Sequence, residues 1–254
     1  MYGWEMATKG KVFLVGAGPG KTGLLTLRGR EVIDAADVVL YDQLAGEIVS
    51  TLPAAAERID CGKYGSRHTL EQEEIEAIMI ARAKAGKRVV RLKGGDPFLF
   101  GRGGEELEVL RAHHIKVEVV PGVTSGIAVP ACVGIPVTHR EYASQVTLVT
   151  GHEDPEKAQP AIRWDLLGEM SGTVVILMGV RNLPTIVEAM VKGGRSATTP
   201  VAIIERGLQK DQRVVTGTLD SIVKKAAQEN VHPPAIIVIG DVVRMYEGAQ
   251  LCGE

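Results

Sequence analysis

Lys93-Gly-Gly-Asp-Pro-Phe-Leu-Phe-Gly-Arg-Gly-Gly-Glu-Glu106 is the stretch on which the reading of this 254-residue chain turns. It follows an apolar run, Lys87-Arg-Val-Val-Arg-Leu92, and precedes a helical pattern near Gly104–His113. A strand, a glycine-rich loop and a helix in that order belong to an α/β fold, and five glycines in these 14 residues exceed what a turn needs. Asp96 stands at the strand's carboxyl end, where a carboxylate accepts hydrogen bonds from a polar ligand beside bare backbone. Phe98 and Phe100 are two of only three Phe in the chain, and either wall a site or fill a core. Arg102, set among glycines and aromatics, points to a cleft.

Outward from this loop the chain alternates strands and helices. Lys11-Val-Phe-Leu-Val-Gly16 reads as a buried strand entering a tight turn. A periodic stretch over Leu24–Ala36, a strand over Asp37–Tyr41 ending at Asp42, and a strand over Arg58–Cys61 follow. Thr69 is placed to cap a helix over Leu70–Ala85, with carboxylates at 71, 73 and 74 where the helix dipole favours them. With Lys116–Val120, this half predicts a mostly parallel sheet covered by helices. Pro121, Pro130 and Pro136 with Gly122, Gly126 and Gly134 then mark a domain junction. Beyond it, strands are expected over Val146–Thr150, Thr173–Leu177, Val201–Ile204, Arg213–Thr216 and Ala235–Ile239, and helices over Leu183–Lys192 and Leu219–Gln228. Arg206–Gln212 is short enough to join its flanking strands as a hairpin, so the second sheet is mixed. The expected architecture is two α/β domains, residues 1–121 and 122–254.

A second glycine loop, Gly16-Ala-Gly-Pro-Gly-Lys-Thr-Gly23, admits two nucleotide readings, and both fall short. A dinucleotide fingerprint needs glycine where Lys21 stands, and Pro19 removes an N–H that could meet a pyrophosphate. A phosphate-cradling loop ending in Gly20-Lys21-Thr22 lacks one residue of the spacing it needs. Composition narrows the classes further. With 45% hydrophobic residues, 24% charged and a net charge of −2, the chain is globular and carries no global field for nucleic acid or an anionic membrane. No apolar run approaches the ~18–20 residues that span a bilayer, and no secretory signal is evident, so a cytoplasmic protein is expected. Cys61, Cys132 and Cys252 lie far apart, which argues against zinc or a disulfide and favours Cys61 and Cys132 as apolar packers. Polar residues gather at strand ends instead: Asp42, Lys63, Arg67, Thr124, Ser125 and Thr138–Tyr142. One carboxylate and several cations on neighbouring loops suit a polyanionic substrate.

Taken together, these motifs resemble the tetrapyrrole methyltransferase family, which uses S-adenosylmethionine. Val15-Gly-Ala-Gly-Pro-Gly20 with Leu24-Leu-Thr-Leu-Arg-Gly29 is similar to the family's opening motif. Tyr41-Asp-Gln-Leu44, Gly62-Lys63, Val89–Glu106, Val120–Ser125, Gly134–Ala143 and Val149–His152 resemble the members that C-methylate uroporphyrinogen III. The likeness runs from about residue 10 to about residue 245. It implies two α/β domains with the cofactor in the cleft between them, and a homodimer that engages neither nucleic acid nor membrane. It also implies transfer of two methyl groups to carbons 2 and 7 of uroporphyrinogen III, giving precorrin-2 by way of precorrin-1, with no metal. A same-family enzyme acting on a later corrin intermediate is the alternative. Position by position, the resemblance places S-adenosylmethionine against Pro19, Gly94, Gly95, Asp96, Leu99, Thr124, Ser125, Met178, Ala202, Gly207 and Ala235. It makes Asp42 the proton acceptor and Lys63 the proton donor, with Arg102 meeting substrate carboxylates. Lys21 and Tyr64 depart from the family pattern, which commonly has an acidic residue and an arginine there. The extra oxidase and chelatase module of fused sirohaem synthases is not recognised, so the chain is expected to stop at the methylated intermediate.

Overall fold

The segment Lys11–Gly16 forms β1, and both of its faces are buried, Phe13 and Val15 on one side and Val12 and Leu14 on the other. A strand covered on both faces belongs in the middle of a parallel sheet. Accordingly β2 (Val38–Tyr41), β3 (Glu57–Asp60), β4 (Arg88–Lys93) and β5 (Lys116–Val120) join it in the order β3-β2-β4-β1-β5, every pair parallel. Helix α1 (Leu27–Asp34) lays Val32 and Ile33 on one face. Helices α2 (Gln72–Lys84) and α3 (Gly103–Ala112) lay Ile75, Met79 and Leu110 on the other. The computed structural model describes residues 10–62, 70–152, 162–248 and 251–252.

Several boundaries differ from the sequence reading by one to three residues, and two of them have clear local reasons. Helix α1 begins at Leu27 because the Thr26 hydroxyl caps it, accepting from the Gly29 N–H at 3.0 Å, while Leu24 closes a preceding 3-10 turn. Helix α2 begins at Gln72 because the Glu74 carboxylate accepts from the Glu71 N–H at 2.8 Å. Thr69, the expected cap, lies outside the described residues.

The chain divides into two compact units, Met1–Thr124 and Ser125–Glu254. Gly122 belongs to the first because its backbone packs on Gly16 and Gly95 so closely that an added Cβ would lie 2.3 Å from the Gly95 carbonyl oxygen. The second unit holds β6 (Val146–Thr150), β7 (Thr173–Leu177), β8 (Pro200–Glu205), β9 (Arg213–Thr218) and β10 (Ala235–Ile239) in the order β6-β7-β10-β8-β9. Only β6 and β7 run parallel, and β8 and β9 form the expected hairpin. Helices α4 (Ser125–Cys132), α5 (Trp164–Glu169), α6 (Leu183–Lys192) and α7 (Ile222–Gln228) complete this unit.

The Pro/Gly-dense stretch is more ordered than its composition suggests. Pro130 sits inside α4, buried with Ala128 and Val129, so packing overrides the hydrogen bond that proline removes. Cys132 at the end of α4 is disulfide-bonded to Cys252, which corrects the expectation of unpaired packing cysteines. The tail reaches it because the Leu251 N–H donates to the Cys132 carbonyl at 2.8 Å and the Leu251 side chain lies against Gly134. Cys61 is free and buried. No helix among the described residues is long and apolar enough to cross a membrane.

Candidate functional site

Register places Gly16, Tyr41, Lys93 and Val120 at one end of the parallel sheet, so the loops after β1, β2, β4 and β5 meet there. They interlock through glycine backbone. The Gly18 N–H donates to the Gly95 carbonyl at 3.1 Å and the Gly95 N–H returns a bond to Gly18 at 2.7 Å, with both residues at positive φ. Gly46, at φ 59°, crosses Gly20 so closely that a Cβ would fall 2.6 Å from the Gly20 carbonyl oxygen. Asp96 is held at the centre of this knot. Its Oδ1 accepts from the Phe98 N–H at 2.8 Å and its Oδ2 from the Gly122 N–H at 3.1 Å. A carboxylate fixed in this way keeps lone pairs for a hydroxyl or amino group and donates nothing itself. Pro19, Gly94, Gly95, Leu99 and Thr124, all half-buried, stand on the same loops.

Asp42, directly after β2, accepts from the Leu44 N–H at 3.0 Å through Oδ1. Its Oδ2 faces the Arg91 guanidinium at 3.9 Å. Arg91 and Lys93 alternate with Leu92 along β4 and are themselves buried, as is Glu106 in the first turn of α3. Burial, and then the neighbouring Arg91, push the Lys93 amine below the usual lysine range. Burial also raises the Cys61 thiol, so Cys61 is an inert neighbour. Arg102 caps α3 with φ 58°, and Phe100 has φ 55°, two left-handed non-glycine residues in one loop. Such strain, of order 1–3 kcal/mol each, gathers where a side chain must be aimed. The Arg102 side chain is half exposed and bonds Glu105 at 2.6 Å, a contact that holds its guanidinium further into the charged range. Lys63 lies outside the described residues.

Lys21 does not reach toward a phosphate position. Its ammonium lies 3.6 Å from the Glu47 carboxylate, which also accepts from the Thr22 N–H and hydroxyl at 2.8 and 3.1 Å. Those bonds, the Thr22 N–H first, hold the Glu47 carboxyl below its usual range. The look-alike phosphate motif is a loop pinned to its own acidic partner.

In the second unit, Met178 follows β7, Gly207 follows β8 and Ala235 opens β10, which runs antiparallel to both. All three therefore share one end of the mixed sheet. Met178 has φ 57° and an exposed side chain. Gly207 packs on Val129 of α4, where a Cβ would meet Val129 Cγ1 at 2.4 Å. Ala202 differs: it is fully buried further along β8, opposite Val238. Ser125 begins α4. Among the described residues no three His, Cys, Asp or Glu side chains cluster as metal ligands would.

The sequence reading missed Arg91, Lys93 and Glu106. Its available signal was charge at alternate positions of an otherwise apolar strand, which puts both cations on one buried face.

Comparison with known proteins identifies the family. The profile of the Tetrapyrrole (Corrin/Porphyrin) Methylases matches residues 11–223. The S-adenosyl-L-methionine-dependent uroporphyrinogen III methyltransferase of Methanosarcina barkeri is 55% identical over 239 residues, covering 94% of each chain. The uroporphyrinogen-III C-methyltransferase of Methanocaldococcus jannaschii is 51% identical over 240 residues, covering 94% of this chain and 98% of that protein. Among solved structures, the uroporphyrin-III C-methyltransferase of Thermus thermophilus, complexed with S-adenosylhomocysteine, is similar with a TM-score of 0.78. It is 38% identical, and the match covers 92% of this chain and 99% of that one. With the family profile matched over residues 11–223 and relatives more than half identical over nearly the whole chain, the chain belongs to the tetrapyrrole (corrin/porphyrin) methylase family.

Proposed function

We propose that this protein is an S-adenosylmethionine-dependent uroporphyrinogen-III C-methyltransferase, methylating carbons 2 and 7 to give precorrin-2 by way of precorrin-1 for sirohaem and cobalamin synthesis. The observation that carries the chemistry is the Asp42 carboxylate, oriented by the Leu44 N–H yet 3.9 Å from Arg91, its nearest cation among the described residues. The donor set fits the cofactor. Asp96 offers rigid acceptor oxygens to ribosyl hydroxyls or an amino group, and Pro19, Gly94, Gly95, Leu99 and Thr124 surround it on the interlocked loops. The second unit offers Ser125, Met178, Gly207 and Ala235, with Ala202 in the strand behind them.

When bound, S-adenosylmethionine supplies a methyl group to an electron-rich pyrrolic carbon, the C–S electron pair stays on sulfur as S-adenosylhomocysteine, and the macrocycle gives up one proton. Asp42 takes that proton: among the described residues Oδ2 has only the 3.9 Å approach of Arg91, while Oδ1 is fixed by backbone. Arg102 receives a substrate carboxylate, for which its planar fork is suited, exchanging its bond to Glu105. The resemblance gives Lys63 the role of proton donor; a proton it adds at one ring position is matched by one lost from another, so the net loss stays at one. Orientation by the glycine loops contributes much of the acceleration, up to ~7–11 kcal/mol for well-aligned reactants. A homodimer and a cytoplasmic location belong to the same proposal and rest on the resemblance.

The test is anaerobic incubation of the pure protein with S-adenosylmethionine and freshly generated uroporphyrinogen III, followed by mass spectrometry. Gain of two methyl groups is expected. Cofactor binding without methylation would move the substrate to a later corrin intermediate, and absence of cofactor binding would overturn the reading.

A further inference from the structure

One buried ionic cluster stands beside this chemistry without a part in it. Glu106 is fully buried, and its Oε1 accepts from Lys93 Nζ at 2.9 Å, Arg91 Nε at 3.2 Å and Gln72 Nε2 at 3.2 Å. Its Oε2, equally buried, has no hydrogen-bond partner among the described residues. Packing alone does not call for these groups, because the same face of the sheet is otherwise filled by Val89, Met79 and Leu110. Buried ion clusters rarely stabilise a fold more than apolar residues of similar size would. Arg91, bound to Glu106 through Nε, turns Nη2 toward Asp42. Arg91 and Lys93 are thus balanced by Glu106 and Asp42, two charges against two.

We propose that Glu106 is a positioning residue for Asp42: by gathering Arg91 and Lys93 on one carboxylate oxygen, it keeps them from closing on Asp42, which stays oriented but free to take a proton. This rests on the assignment of Asp42 as proton acceptor. The 3.9 Å gap between Arg91 and Asp42, set against 2.9 Å between Lys93 and Glu106, is the geometric record of that division. Among the described residues, other polar groups about the cluster are Asp60 and Cys61 at the end of β3, Gln72 and Glu76 on α2, Glu105 on α3, and the Leu44 N–H. Of these, the carboxylates make no ion pair with Arg91 or Lys93, so among the described residues only Glu106 holds the two cations away from Asp42. With Glu106 neutral, both cations turn on Asp42 and make its protonation harder.

The experiment compares Glu106→Gln, Lys93→Met, the double variant and Asp42→Asn in full-chain enzyme, measuring kcat and KM across pH. Glu106→Gln is expected to lower kcat roughly 10- to 100-fold, part of the ~10²–10⁴ that a positioned base contributes. Its acid limb should move to lower pH while S-adenosylmethionine affinity holds. Lys93→Met removes a cation instead, so its acid limb should move the other way. The double variant restores charge balance and should recover much of the lost kcat. An unmoved acid limb in Glu106→Gln, or a uniform loss that the double variant does not relieve, overturns the proposal. If Glu106→Gln fails to fold, the direction of the Lys93→Met limb decides alone. Full turnover by Asp42→Asn would overturn the base assignment itself, whereas an inactive Asp42→Asn beside an unaltered Glu106→Gln would overturn only the role of Glu106.

Discussion

Gly94 lies so close to Leu44 that a Cβ added to it would fall 2.4 Å from the Leu44 Cβ. The same Leu44 donates its N–H to Asp42, so a missing side chain on β4's loop fixes the carboxylate after β2. Gly94→Ala is expected to push Leu44 aside, lower kcat at least tenfold and destabilise the fold by about 1–3 kcal/mol, as overpacking does. Steady-state kinetics and a melting curve check this together. An alanine variant with native kcat would show that Leu44 does not position Asp42.

Arg102→Ala should act on substrate rather than cofactor. Removal of one charge-assisted contact to a carboxylate is worth about 1.5–3 kcal/mol, so KM for uroporphyrinogen III should rise roughly 10- to 100-fold. S-adenosylmethionine affinity, measured by calorimetry, should stay where it is. Equal KM in variant and wild type would remove Arg102 from the substrate site.

The Cys132–Cys252 bond closes a sequence separation of 120 residues, and a cross-link of this kind stabilises a fold by about 2–4 kcal/mol. Cys252→Ser should melt earlier than wild type in oxidising buffer, and the difference should vanish when reductant is added. Three titratable thiols in native protein would contradict the pairing.

Acid stability has an identifiable contributor in Glu118. Arg28 first and Lys11 second bind its carboxylate and lower its pKa from 4.5 to about 2. A depressed carboxylate adds stability that is present above its ordinary pKa and lost as pH falls through the folded one, here from about 4.5 to about 2. The side chain is 26% exposed, so solvent screening keeps the effect below about 1 kcal/mol. Glu118→Gln should be slightly less stable at neutral pH, with the two stability curves converging toward pH 2. Parallel curves across that window would deny Glu118 this role.

Residues whose neighbours in sequence decide their state were readable in advance. The apolar runs of β1, β4 and β10 announce buried strands, and the short Arg206–Gln212 link announces the hairpin. Asp42, Asp96 and Arg102 could be picked out because each ends or follows an apolar strand with glycine or aromatic residues nearby. What sequence does not carry is proximity between distant residues. Cys132 meets Cys252 through the returning tail, and α4 survives Pro130 through burial in its own unit. Lys21 resembles a phosphate ligand until Glu47, far along the chain, is seen beside it. Glu106 closes the glycine-rich motif without a role that the motif itself reveals, since its meaning comes from the two cations that β4 turns toward it.

The strand order β3-β2-β4-β1-β5 also governs how the chain leaves the ribosome. Both partners of β1, β4 and β5, are made long after it, the second ending at Val120. At ~5–20 residues per second, this apolar strand waits on the order of 5–20 s before its ladder can close. Strands β2 and β3 can pair with each other in that interval, yet they reach β1 only through β4. The nascent first unit therefore spends seconds with this interior strand unpaired, and co-translational shielding of Val12–Val15 becomes a condition for efficient synthesis. The β8–β9 hairpin imposes no comparable delay, because its two strands follow one another directly.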